Sequence, residues 1–125
     1  MSTLLEELGG EFALRLIIND FVDRIFDDAM IGFMFRAASR ERVKEMEFQF
    51  AAAHLGAAVK YQGQNIAAAH RKHPILASHF DRRLRVLEQV LHDHRCPPAV
   101  VEHWVRHTKN LRSSVVAAAG QCVPD

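Results

Sequence analysis

"EFALRLIINDFVDRIFDDAMIGFMF" (residues 11–35) decides the fold. Leu14, Ile17, Ile18, Phe21, Val22 and Ile25 recur three and four residues apart. That spacing puts all six on one face of an α-helix, predicted from Glu11 to about Asp27. "AMIGFMF" (29–35) follows, short and apolar around one glycine, and predicts a tight, turn-like helix that stays buried.

The same period extends outward in both directions. Thr3 and Glu6 have the spacing of a capping box for a short first helix, which Gly9-Gly10 ends. Ser39 can cap a helix over about 40–56, with Val43, Met46, Phe50 and His54 inward and Lys44, Glu45 and Gln49 toward water. A loop carrying "YQGQ" (61–64) leads to a brief helix, about Asn65 to Arg71, ended near Pro74. "SHFD" (78–81) reads as a second capping box. It opens a helix with Phe80, Leu84, Leu87 and Leu91 on one face and Arg82 and Arg85 outside. Pro97-Pro98 suits the first turn of a last helix carrying Val101, Trp104, Val105, Leu111 and Val115 inward. No strand alternation or internal repeat interrupts this pattern. The reading is all-α, one domain over 1–125, with its core at about 8–116 and a small-residue tail after Ala117.

Composition narrows the partners. Hydrophobic residues make up 49% and charged residues 25% of the chain, a globular balance rather than a disordered one. A net charge of +1 gives no cause to expect nucleic acid. Apolar runs fall far short of the roughly 20 residues a membrane span needs. The N-terminus lacks the basic and apolar regions of a signal peptide, and Cys96 and Cys122 make no disulfide framework. A cytoplasmic location is the expectation.

Three histidines stand close together at His70, His73 and His79. A helical protein that holds a haem needs one neutral imidazole for the iron and an apolar wall around the macrocycle. His70 ends a run of small and apolar residues (Ile66, Ala67, Ala69), which would let a bulky planar group approach. Alone, that signal is weak, because a histidine after alanines is most often a helix end.

The ordered set of motifs is more specific. Gly9-Gly10, "FVDRIFDDAMIGFMF" (21–35), "LG" (55–56), "YQG" (61–63), "AH" (69–70) and "HRKHPILASHFDR" (70–82) stand in one order. From about Leu8 to Val116 the chain resembles the truncated haemoglobins, small two-over-two helical globins. In "H-x-x-x-P-I-x-x-x-H-F-D-R" it resembles most their third group. The resemblance implies a truncated globin-like two-over-two sandwich around non-covalent haem b, with His70 as the proximal iron ligand and Phe35 packed on the haem. It further implies a haem contact set of Val22, Phe35, Val43, Met46, Glu47, Phe50, Tyr61, Ile66, His70, Arg71, His73, Ile75, Phe80, Arg83 and Leu87. His73 falls at the haem edge, Arg71 and Lys44 become candidate propionate partners, and His54 is a partly buried core residue.

The chain departs from that family on the distal side. Val22 stands where the family carries a hydrogen-bonding tyrosine, a loss of roughly 1 to 3 kcal/mol for a bound ligand if nothing compensates. Glu47 occupies a position that is often glutamine, and Arg83 one that is often tryptophan. Each either reaches solvent along its stem or points inward, and if both point inward they should pair. Met46 stands where some relatives carry a histidine that binds iron, so its thioether is a candidate sixth ligand, or simply core filler.

The expected function is reversible binding of a diatomic gas, in oxygen or nitric oxide handling, transport or sensing. Nitric oxide dioxygenation or peroxidase chemistry would need an external reductase. The alternative is a redox or electron-transfer haem protein with an internal sixth ligand. A third reading takes His92, His94, Cys96, His103 and His107 as zinc ligands, although their spacing matches no zinc signature.

Overall fold

The computed structural model describes residues 2–57 and 75–116. Within them the chain forms α1 (Leu4–Leu8), α2 (Gly10–Asp27), a 3-10 turn (Gly32–Phe35), α3 (Arg40–His54), α4 (Ala77–Asp93), α5 (Pro98–Asn110) and a short α6 (Arg112–Val115). Among the described residues there is no strand, only an isolated parallel bridge between Ile75 and Val116.

The long helix α2 organises the molecule. Its six expected stripe residues, Leu14, Ile17, Ile18, Phe21, Val22 and Ile25, are all buried. They meet Val86, Leu87, Val90 and Leu91 of α4, Val100 and Trp104 of α5, and Phe48, Ala51 and Ala52 of α3 in one core. Burying a large aliphatic or aromatic side chain stabilises by about 1.5–3 kcal/mol, so this single cluster carries most of the fold's driving force. Leu5 belongs to it too, so the core begins earlier than the sequence suggested. The cause is a non-local hydrogen bond, Leu5 N–H to the Leu55 carbonyl at 3.0 Å, that draws α1 inward.

The helix ends obey their local chemistry. Thr3 and Glu6 form the expected reciprocal cap, at 3.0 and 2.7 Å. Gly9 turns the chain between α1 and α2 at φ 121°, a conformation that suits glycine and strains other residues. Ser39 Oγ accepts from Arg42 N–H and starts α3. Gly32 has a different reason: a Cβ there would lie 2.5 Å from the Phe26 carbonyl oxygen.

Four expectations are corrected. The "AMIGFMF" segment is only partly buried: Ile31 is enclosed, while Met30 and Phe33 are about half exposed, because a single 3-10 turn has too little surface to bury every apolar side chain. α4 begins at Ala77, before the proposed Ser78 cap, since His79 Nδ1 reaches back to accept the Leu76 N–H at 3.4 Å. The last helix breaks at Leu111, which separates α5 from α6. α3 has two apolar faces where one was expected. Phe48, Ala51 and Ala52 enter the core, and Val43, Met46, Phe50 and His54 face a cavity.

Candidate functional site

The cavity has a volume of about 600 Å³, within the range typical of small-molecule sites. One wall is α3, through Val43, Met46, Glu47, Phe50, Ala51 and His54; α4 adds Phe80 and Arg83. The segments from Trp104 to Val115 close another side with Trp104, His107, Thr108, Leu111 and Val115, and Ala37, Ala38, Ser39 and Arg42 border the start of α3.

Six of the expected site residues line it: Val43, Met46, Glu47, Phe50, Phe80 and Arg83. Val22 and Leu87 do not, because both are sealed in the core. Phe35 stacks on Phe26 with centroids 4.9 Å apart. Ile75 pairs with Val116. Tyr61, Ile66, His70, Arg71 and His73 lie outside the described residues. Lys44 was expected toward water or as a propionate partner, yet it is committed to Asp23 at 3.0 Å and its side chain is largely covered.

Two polar groups mark the cavity wall. The first is an ion pair: Arg83 Nη2 donates to both carboxylate oxygens of Glu47 at 2.9 Å. Both side chains are more than two-thirds covered, and the guanidinium rests over the Phe21 ring at 4.8 Å. The second is a cluster of three imidazoles. His54 and His107 stack at 4.0 Å between centroids, His54 and His103 at 5.3 Å, and Trp104 meets His54 edge-on. Burial, then the neighbouring His107 and His103, push the His54 pKa down to about 3. Burial first, then His103, also lowers His107. His103 Nε2 lies 2.9 Å from the His54 carbonyl, so it donates there as the Nε2–H tautomer.

Sequence reasoning missed this cluster, since its members lie on two helices 49 residues apart. It missed Arg42 as well, a cavity-lining cation with no partner among the described residues. The zinc set does not assemble. His94 is held by Asp20 at 2.8 Å, far from the stacked trio in role, and among the described residues no group of three or more His, Cys, Asp or Glu is placed to hold a metal.

A haem would fit what is present. The walls are mainly aliphatic and aromatic, which suits a macrocycle, and Arg42 supplies a cation for a carboxylate edge. Met46 offers a soft donor. His54 Nδ1 is buried with no hydrogen-bond partner among the described residues, a state that costs about 1–3 kcal/mol unless a cavity occupant or another group meets it.

Comparison with known proteins agrees with this architecture. A model of the bacterial-like globin family matches residues 3–117. The chain belongs to that family. Among curated relatives of this globin, a Group 1 truncated haemoglobin from Tetrahymena pyriformis is 23% identical over 114 residues, covering 91% of this chain and 94% of that one. The 2/2 haemoglobin of Synechococcus sp. PCC 7002, solved in the cyanomet state with covalently attached haem, superposes with a TM-score of 0.87 at 20% identity, covering 94% of this chain and all of that one. The Group II truncated haemoglobin of Bacillus anthracis gives 0.83 at 18% identity, covering 93% and 92%. The globin therefore has the two-over-two fold. The Tetrahymena and Bacillus proteins carry Group 1 and Group II names, and neither supports the third-group likeness read from residues 70–82.

Proposed function

We propose that this globin binds haem in the cavity beside α3 and that the haem iron takes up a diatomic gas. The observation that carries the reading is the wall itself. Val43, Met46 and Phe50 of α3, with Phe80 of α4, line a space of about 600 Å³ in a chain of the globin family. His70 is the proposed proximal ligand, from its register in the family motif.

The iron supplies a coordination position for oxygen, nitric oxide or carbon monoxide. This chain's own side chains do the rest. Val43, Phe50 and Phe80 exclude water, and in drier surroundings a hydrogen bond to a polarised ligand is stronger. Arg83 is the donor available in place of the missing tyrosine: Glu47 uses its Nη2, and its Nε and Nη1 hydrogens remain for a guest. Arg42 would hold a propionate. The haem is proposed to be haem b, held without a covalent link.

One observation favours a second reading, a redox protein with an internal sixth ligand: Met46 lines the cavity. Absorption spectra of the ferric, ferrous and carbon monoxide forms decide between them. A five-coordinate ferrous form that shifts on adding carbon monoxide supports gas binding, and a six-coordinate low-spin ferrous form without added ligand supports Met46. His70→Ala should abolish the normal ferrous spectrum, whereas His73→Ala should not. A larger effect from His73→Ala would overturn the assignment of the proximal ligand.

A further inference from the structure

Arg83 is held in an unusual way for an ion-paired arginine. A guanidinium that meets a carboxylate commonly spends two nitrogens on it, one per oxygen. Here a single nitrogen, Nη2, reaches both Glu47 oxygens. The Phe21 ring backs the guanidinium, so it is pinned on two sides while Nε and Nη1 keep their hydrogens for another acceptor. No other partner for Arg83 exists among the described residues.

The geometry points to a cavity that selects small monoanions, of the azide or nitrite class, as ligands of ferric iron, with Arg83 as the recognition group and Glu47 as its built-in competitor. A guest anion receives charge-assisted hydrogen bonds from Nε or Nη1 without first breaking the ion pair. The Glu47 carboxylate shares the same guanidinium and repels the guest, so it sets the affinity from below. No electron or atom transfer is involved: bound haem would supply the coordination position, and Arg83 would supply the hydrogen bonds to the anion. Nothing in this scheme depends on the identity of the gas bound by the ferrous form, but it rests on the haem reading above.

The test uses the full chain loaded with haem in the ferric state, near neutral pH, where azide is ionised. Affinities for azide and for neutral imidazole are measured by absorption, and their ratio is the readout, because it cancels general changes in access to the iron. Arg83→Met should lower the ratio of azide to imidazole affinity by about ten- to a hundredfold, the worth of a hydrogen bond to a charged group. Arg83→Lys should retain part of it. Glu47→Gln should raise it several-fold. A ratio within about twofold of the unaltered chain in Arg83→Met overturns the inference, as does a fall in Glu47→Gln. The two levels separate cleanly: failure of the unaltered chain to take up haem overturns the haem reading, whereas haem uptake with an unchanged ratio overturns only the role of Arg83.

Discussion

Glu47 and His54 stand on the same helix two turns apart, and both face the cavity, yet the fold treats them in opposite ways. At Glu47 it encloses a charge and supplies the opposite charge at 2.9 Å. At His54 burial itself holds the group neutral, helped by two further imidazoles that carry like charge if protonated. The first end of the cavity solves the cost of burial by matching charges, the second by removing them. One consequence is that the two ends should respond to different perturbations. Removing one partner disturbs the first, and adding protons disturbs the second.

Acid gives the largest expected effect. The unfolded His54 titrates near 6.5 and the folded one near 3. Between those values the unfolded chain binds a proton that the folded chain refuses, so stability rises with pH across the window. It is intact above about 6.5 and declines by about 1.4 kcal/mol per pH unit as the pH falls below it. His107, also depressed, adds to the slope. The paired carboxylates Asp20, Asp23, Asp28 and Glu45 titrate only below the usual carboxylate range and leave the upper part of the window clear. Urea midpoints at about pH 7 and about pH 5 should differ strongly in the unaltered chain and much less in His54→Phe. Equal slopes in the two proteins would mean that the stacked trio is not the acid-sensitive element.

Val22→Tyr comes next. The position lies in the packed core and does not line the cavity, so the added ring should overpack it and cost about 1–3 kcal/mol in thermal or urea unfolding. A variant of undiminished stability whose oxygen leaves more slowly would place this residue at the ligand after all, and would put a third polar solution beside the two compared above.

Arg83→Met breaks the matched end directly. Oxygen should leave about tenfold faster, equivalent to about 1.4 kcal/mol, and carbon monoxide should change less because it accepts hydrogen bonds more weakly. Equal changes for the two gases would show that the side chain acts by bulk alone. Ser39→Ala is the smallest expected change and serves as a control for both ends. It removes the cap of α3 at about 1 kcal/mol without touching either polar group, and should shift the unfolding midpoint while leaving its pH slope unaltered.

How much of this could be read beforehand depended on the kind of signal. The α2 stripe was legible residue by residue, since six large apolar side chains at helical spacing have one interpretation. Glu47 and Arg83 were legible as a pair, because two opposite charges set in apolar stripes must find each other or reach water. The second face of α3 was not, as Ala51 and Ala52 are too small to stand out in a periodicity of hydrophobic bulk. The imidazole trio was invisible for another reason: stacking between His54 and His107 depends on how two helices cross, and no spacing within either helix records it. The start of α4 was displaced by a contact that sequence spacing favours less than a serine cap, a ring nitrogen reaching back over one turn.

The end of α3 has a bearing on how the chain comes together. The carbonyls of Ala51, Ala52 and Ala53 are closed locally, but the last two are met from far away: Leu5 N–H binds the Leu55 carbonyl, and His103 Nε2–H binds that of His54. A helix whose last two carbonyls are met by α1 and α5 gains those bonds only once both have docked. That turn should fray until α1 and α5 have docked, then gain protection together with them. Hydrogen exchange should therefore report the amides of residues 51–55, Leu5 and the middle of α5 opening as one cooperative unit, with the N-terminal turns of α3 exchanging independently. The corner that holds the stacked imidazoles would then be the last part of the globin to assemble and the part most sensitive to long-range contacts.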